Sequence, residues 1–256
     1  RDLRTGRTSE EAYDRLVLSP GAAPMRPPIP GIEQEGIFTL RSVPDVDRIK
    51  AWIDARHPER AVVVGGGFIG LEMAENLSRR GAVVTVVEAL DQVMSVLDPD
   101  MAALVHAQLR AKRVELALGD AVRSFERRGD RLAVTLASGA EILGDLVLLS
   151  VGVRPDTAFA RDSGIACTPS GAIVVDAAMR TSDPDIFALG DAVEVQSPVL
   201  GRGVNVPLAG PATKQARIVA ENLVLSLKGA AAEGRRYAGA LGTSIAKVFD
   251  LTAAAT

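Results

Sequence analysis

Three glycines at fixed spacing and one carboxylate are the residues of this chain best placed to do chemistry. Ala-Val-Val-Val-Gly-Gly-Gly-Phe-Ile-Gly, residues 61–70, contains G-x-G-x-x-G at Gly65, Gly67 and Gly70. Gly65 permits a tight turn out of an apolar strand. Gly67 has no Cβ to hold a phosphate away from the backbone, and Gly70 lets the following helix pack closely on the strand. A helix start presents free N–H groups at the positive end of its dipole, which suits an anionic diphosphate. Alone, the pattern is weak, because glycine turns between strands and helices also serve packing. Three features strengthen it: four apolar strand formers precede it, the following helix is amphipathic, and Glu88 ends the next strand. Glu88 lies near the roughly 20-residue separation at which an acid accepts hydrogen bonds from adenosine ribose hydroxyls. The combination reads as a dinucleotide site over 61–88. Glu88 would repel a 2′-phosphate, and Ala89-Leu90-Asp91 offers no arginine to receive one, so NAD is favoured over NADP. The competing reading is that Glu88 caps a surface loop.

The elements that must hold this turn follow from periodicity. Strand Ala61–Val64, helix Ile69–Arg80, strand Val83–Glu88, helix Pro99–Lys112 and strand Val114–Leu118 alternate, which predicts a parallel α/β sheet. Strands Ala121–Arg127 and Leu132–Leu136 then form a hairpin around Arg128-Gly129-Asp130 before the apolar strand Leu146–Val151, adding a β-meander. Upstream, Tyr13–Ser19 reads as a short strand halted by Pro20-Gly21, and the proline-rich stretch 24–31 as an extended loop. Val43–Ala55 has helical spacing, with Val46, Ile49 and Ile53 on one face, and Pro58 ends it. Beyond a composition break at Gly152-Val153-Arg154-Pro155, Ile173–Asp176 and Ile186–Leu189 read as strands and Lys214–Leu227 as a helix. These three cannot bury a core alone, so the unit from about 44 to 152 is expected to be inserted into a domain completed from both sides. Leu241–Leu251 reads as one strand-like apolar stretch, and 230–232 is alanine-rich.

The totals narrow the classes. A chain of 256 residues can bury one large or two small cores. Net charge is −3 and the basic residues are scattered, which argues against a nucleic-acid or anionic-membrane surface. No apolar run approaches the length of a membrane span. The single cysteine, Cys167, leaves no disulfide framework or multi-cysteine cluster. Without a neighbouring basic residue or second cysteine it reads as structural. His57 and His106 read as surface residues with no carboxylates at ligand spacing, so no metal site is expected. Arg1 in place of Met, and an end at Ala-Ala-Ala-Thr with no closing element, read as marks of a piece cut from a longer polypeptide.

Six segments, in order, carry a further reading. Tyr13–Gly21 (Tyr-Asp-Arg-Leu-Val-Leu-Ser-Pro-Gly), Val63–Glu75 with Glu88, Gly152–Asp156 (Gly-Val-Arg-Pro-Asp) and Thr181–Ala192 (Thr-Ser-Asp-Pro-Asp-Ile-Phe-Ala-Leu-Gly-Asp-Ala) resemble the flavin- and pyridine-nucleotide-dependent disulfide reductases. Pro207–Arg217 and Leu241–Thr252 are similar to the branch that holds coenzyme A disulfide reductases, NADH oxidases, NADH peroxidases and persulfide reductases. The resemblance spans nearly the whole chain. It implies a Rossmann-like NAD-binding domain, 44–152, inserted into a partial FAD-binding domain made of 1–43 and 153–235, with 236–256 starting a dimerisation domain. It also implies that the fingerprint for the FAD pyrophosphate and the redox-active cysteine lie in an amino-terminal segment outside these residues. No catalytic residue is therefore expected within this chain.

The same resemblance assigns roles. Phe68, beside Ile69 in the turn, is implied to gate the flavin until nicotinamide displaces it, Glu72 to lie beside the nicotinamide, and Gly152 to offer backbone to the same ring. From the residues alone, Phe68 is core packing and Glu72 a solvated carboxylate. Asp191 follows an apolar strand and Gly190, where a carboxylate can accept from a sugar-like hydroxyl or be an ordinary turn aspartate; the resemblance places it on the FAD ribityl chain. Ser19, Pro20 and Gly21 would approach the flavin through backbone, and Pro207, Leu208 and Ala209 would bring a helix start to its ring. Implied overall are FAD and NAD, a small-molecule disulfide, persulfide or oxygen-type acceptor, and a cytoplasmic homodimer with no nucleic-acid or membrane partner. Hydride would pass from NADH through FAD to a cysteine and then to a coenzyme A-type disulfide or persulfide. An NADH oxidase or peroxidase of the same family, or a non-catalytic NADH-binding module, are the alternatives.

Overall fold

The computed structural model describes residues 2–228 and 234–256, so the alanine-rich patch at 230–232 lies outside the described residues. In chain order they form β1 (Leu16–Leu18), β2 (Ala22–Pro24), β3 (Ile37–Thr39), α1 (Val43–Arg56), β4 (Arg60–Val64), α2 (Phe68–Arg79), β5 (Val83–Glu88), α3 (Pro99–Ala111), β6 (Glu115–Leu118), β7 (Val122–Arg128), β8 (Arg131–Leu136), β9 (Glu141–Gly144), β10 (Leu146–Leu149), β11 (Val153–Pro155), α4 (Ala158–Asp162), β12 (Ile173–Val174), β13 (Ile186–Ala188), β14 (Val193–Ser197), β15 (Arg202–Val204), α5 (Ala209–Leu227), β16 (Ser244–Val248) and β17 (Leu251–Ala255). They divide into an outer unit, residues up to Ala22 with Arg154–Gly242, and a middle unit, Ala23–Val153 with Thr243–Thr256.

The middle unit is built on a parallel sheet in the order β3-β10-β4-β5-β6. β4 and β10 are central and covered on both faces, which is why Ala61–Val64 and Leu146–Leu149 are unbroken apolar runs. Alternate residues of these strands serve opposite faces. Val63, Val86 and Leu148 join a core with Ile49 of α1, Leu71 and Ala74 of α2 and Val105 of α3. Val62, Val64 and Leu149 instead meet Phe125, Leu132 and Val134 of the antiparallel meander β7-β8-β9. The expected parallel sheet with an attached meander is the fold found. At β4 the strand order switches, with β5 on one side and β10 on the other, and such a point leaves a crevice at the carboxyl ends of the strands. The glycine turn leaves β4 there.

Local chemistry fixes the approach to β4. Asp45 accepts the Ser42 amide at 2.8 Å and so caps the start of α1; the Ser42 hydroxyl first and its amide second hold the Asp45 carboxyl at about 2. α1 ends at His57 in the left-handed region (φ 45°), just before Pro58. The Asp145 carboxylate then accepts the amides of Glu59 and Arg60 at 3.0 and 2.9 Å, seating the first residue of the strand.

In the outer unit β1 runs parallel to β13, and β12-β14-β15 form a second small sheet. Leu18, Ile173, Phe187, Val193 and Val219 of α5 share its core.

Several elements differ from expectation. The strand at Tyr13–Ser19 contracts to Leu16–Leu18, the length over which β13 runs beside it. α5 begins at Ala209 instead of Lys214, because Pro211 occupies the first turn, where a missing N–H removes no intrahelical bond. Leu241–Leu251 is not one strand: β16 and β17 form a hairpin turning at Phe249-Asp250, a turn hidden in the sequence because Phe249 is itself apolar and buried. Residues 23–43, assigned from sequence to the outer domain, cluster with the middle unit, where β3 pairs with β10. Residues 243–256 join the same unit through Ala246, Val248 and Phe249.

Candidate functional site

Within the middle unit the three glycines have three different surroundings. Gly65 has φ 105°, and a Cβ on it would stand 2.4 Å from the Ser150 carbonyl oxygen. A Cβ on Gly70 would stand 2.0 Å from the Gly65 carbonyl oxygen. A Cβ on Gly67 would meet nothing within 4 Å. Gly67 is also the N-cap of α2, and no side chain caps that helix. The first-turn amides of α2 therefore have neither an intrahelical acceptor nor a side-chain one. This open, donor-rich cradle fits a pyrophosphate.

Glu88 stands beside it, half-buried. One carboxylate oxygen accepts the Gly66 amide at 2.7 Å and the other the Leu90 amide at 2.9 Å. The loop-capping alternative is thus realised, and each oxygen keeps a further lone pair for a ribose hydroxyl. Phe68 is half-buried against the core, whereas Ile69 is 39% exposed and Glu72 exposed. Gly152 lies two residues past Ser150, with φ 104° and its carbonyl accepting the Met25 amide at 2.9 Å.

The outer unit gathers the other eight residues at one sheet end. Ser19, Pro20 and Gly21 leave β1, while Gly190 and Asp191 leave the adjacent β13 in a 3-10 turn. Gly190 has φ 82°, and a Cβ there would lie 3.6 Å from Ser19 Oγ and 4.0 Å from the Ala212 Cβ. That brings in the start of α5, where Leu208 is an extended N-cap with no side-chain capping bond and Pro207 and Ala209 are exposed. These backbone donors and the Asp191 carboxylate suit a polyhydroxyl chain and an electron-rich ring.

The sequence profile described as "Pyridine nucleotide-disulphide oxidoreductase" matches residues 1–216. The chain belongs to that family. It is 34% identical over 251 residues to a coenzyme A disulfide reductase of Staphylococcus haemolyticus, covering 98% of this chain and 54% of that protein. Among solved structures, reduced CoADR-RHD of Bacillus anthracis is 47% identical with a TM-score of 0.92, over 99% of this chain and 44% of that one. An NAD-dependent persulfide reductase of A. fulgidus is 40% identical with a TM-score of 0.87, over 94% and 43%. The chain spans about half the length of the curated relatives it matches. Pyridine nucleotide-disulphide oxidoreductases are FAD-dependent and use NAD(P)H.

Sequence reading missed four residues of this pyridine nucleotide-disulphide oxidoreductase. Gly66 is a fourth necessary glycine, since a Cβ on it would meet Val93 Cγ1 at 2.7 Å. Ser150 donates its hydroxyl to the carbonyls of Val64 and Gly65 at 3.0 Å each, locking the turn. Buried Gln215 accepts the Gly190 amide at 2.7 Å. A polar residue on the apolar face of the helix over 214–227 was the available signal for Gln215; Ser150 offered none.

His106 is the fourth, and its reading as a surface residue is corrected. It is half-buried, and its Nε2 accepts the Val93 amide at 3.1 Å. The neighbouring Met94 amide donates to the Gly66 carbonyl at 2.9 Å, so His106 anchors the loop that presses on the glycine turn. Only neutral imidazole can accept that bond. Burial, and then Arg110, push its pKa below the ordinary 6.5. A depressed histidine pKa means that the unfolded chain binds more protons as pH falls below 6.5, so this contribution is present above that pH and is lost below it. Thermal melts at pH 7.5, 6.0 and 5.0 should show a steeper acid loss for the parent than for His106→Gln, which keeps an acceptor without titrating; equal slopes would refute the assignment.

Cys167 is half-buried with its thiol pushed up by burial, as suits a structural residue. Among the described residues, no group of three or more His, Cys, Asp or Glu could hold a metal, and no helix is long and apolar enough to cross a membrane. A cleft of about 630 Å³ along β3 and α1 is lined by Arg26, Arg48, Arg56, Phe38 and Trp52. Its guanidiniums already face Glu33, Asp45 and Glu35.

Proposed function

We propose that the middle unit is the NADH site and the outer unit the flavin-facing part of an FAD site in an oxidoreductase that reduces a coenzyme A-type disulfide or persulfide. The observation that carries the reading is the uncapped first turn of α2 at Gly67, with the Glu88 carboxylate beside it. Gly65, Gly67, Ile69 and Gly70 would shape the pyrophosphate cradle and Glu88 would meet the adenosine ribose. Phe68 would cover the flavin until nicotinamide displaces it, and Glu72 and Gly152 would lie beside the nicotinamide. Ser19, Pro20, Gly21, Gly190, Asp191, Pro207, Leu208 and Ala209 would hold FAD, with the start of α5 favouring negative charge on its ring. Bound FAD supplies the two-electron relay between nicotinamide and sulfur. Overall, NADH and one proton reduce a disulfide to two thiols, or a persulfide to a thiol and hydrogen sulfide, releasing NAD⁺. The thiol that exchanges with the acceptor would come from outside these 256 residues, because Cys167 lacks the lowered pKa that exchange requires.

The full-length protein is expected to be yellow and to bleach with NADH under anaerobic conditions. Turnover should be faster with coenzyme A disulfide or persulfide than with peroxide or oxygen. A colourless protein, or one for which oxygen is the best acceptor, would overturn the proposal. The 256-residue chain alone is expected to show no disulfide turnover. NADH should be preferred to NADPH because Glu88 opposes a 2′-phosphate. Glu88→Ala would not isolate that role, since it also strips the acceptor from Gly66 and Leu90. The informative readout is the NADH-to-NADPH affinity ratio in Glu88→Gln, which should fall toward one; a ratio equal to the parent's would remove Glu88 from cofactor choice.

A further inference from the structure

The turn joining β16 to β17 is tied to two helices at once. The Phe249 amide donates to Glu75 Oε2 at 2.6 Å. Glu75, on α2, is the one carboxylate among the buried polar side chains of the described residues, at 9% exposed, and its other oxygen meets Arg79 at 2.6 Å. Phe249 holds φ 53°, a left-handed conformation that a bulky residue keeps only when its surroundings impose it. Its ring is buried in the core that Leu71 and Ala74 of α2 share with Val105 and Leu109 of α3. Lys112, just past α3, lies 5.8 Å from the ring centroid and pairs with Asp250.

Packing alone does not explain a carboxylate there. A leucine or methionine of similar volume would fill the space without desolvating a charge. Apolar packing is also non-directional. Gly70, Leu71, Ala74 and Leu77, buried on α2, set its distance from the sheet but resist sliding along its axis only weakly. A hydrogen bond to a fixed backbone amide supplies the missing direction.

We propose that Glu75 is a positioning residue for the dinucleotide: through the Phe249 amide, the carboxyl-terminal hairpin sets where α2 stands and so where its first-turn amides meet the pyrophosphate. This rests on the reading that NADH lies on that turn. The hairpin then acts on the nucleotide from about two turns further along the same helix, without touching it.

NADH dissociation constants and thermal midpoints of the full-length protein test this. Glu75→Leu, which keeps volume and removes the acceptor, should weaken NADH binding about fivefold, raising KM for NADH while kcat at saturation holds. Glu75→Gln keeps an acceptor oxygen and should return affinity to within about twofold of the parent. Glu75→Asp, which keeps the charge but shortens the reach, should cost about threefold and decides the matter if the leucine variant does not fold. Unchanged affinity in the leucine or aspartate variant, beside lost affinity in Gly67→Val, overturns the positioning role alone. Unchanged affinity in all of them, Gly67→Val included, overturns the nucleotide site as well.

Discussion

Gly67→Val is expected to lower NADH affinity about 100-fold and to leave the thermal midpoint within about 2 °C of the parent. The two effects separate because of where the side chain goes. Gly67 has φ −82° and ψ −171°, an extended conformation that valine adopts without strain, and its Cβ would meet no atom of the chain within 4 Å. Against the substitution stands only the modest preference of an N-cap position for glycine over valine. The same open space is where a diphosphate must approach the α2 amides, and each charge-assisted bond of that kind contributes about 1.5–3 kcal/mol. Blocking one or two of them corresponds to the stated loss, since about 1.4 kcal/mol is tenfold. Titration calorimetry with NADH beside a thermal melt measures both. Full NADH affinity in this variant would place the dinucleotide elsewhere.

Gly70→Ala is expected to do the reverse, striking stability first. Its Cβ would stand 2.0 Å from the Gly65 carbonyl oxygen and 2.7 Å from Ser150 Oγ. Neither neighbour is free to retreat. The Gly65 carbonyl accepts the Ser150 hydroxyl at 3.0 Å, and the Ser150 amide is bonded to Val64 at 2.7 Å. Alanine's better helix propensity returns only about 1 kcal/mol. Overpacking against fixed backbone should exceed that, for a net loss of about 3 kcal/mol. For a unit of this size the midpoint should fall by roughly 6–12 °C. Calorimetry on the variant decides, and a fall of less than about 2 °C would show that α2 can lift from β4 more easily than these distances allow.

Much of the middle unit is legible in the sequence. Val83–Glu88 occupies its expected bounds, and α2 and α3 lie within one residue of theirs, because each has an unbroken period of 2 or 3.6 and a clear stop. Where two patterns overlapped, reading failed. The start of α5 was obscured by Pro211, and the β16–β17 turn by a buried phenylalanine. His106 looked like any exposed helical residue because its partner, Val93, comes from a loop and not from its own helix. Gly66 falls at a free position of the glycine pattern, and only the fold brings Val93 against it.

The sequence by itself determined the parallel sheet with its meander, the place of the glycine turn after an apolar strand, and membership in the pyridine nucleotide-disulphide oxidoreductase family. Those depend on residue types at short, chain-fixed spacings, which covalent geometry and helical period translate directly into structure. Only the tertiary structure decided that Gly65 and Gly70 are sterically obligatory while Gly67 faces open space, that Glu88 already binds two amides, and that a distant hairpin is anchored on α2 through Glu75. Those facts depend on which residues meet across long loops. That is settled by the packing of whole elements, and no local spacing records it.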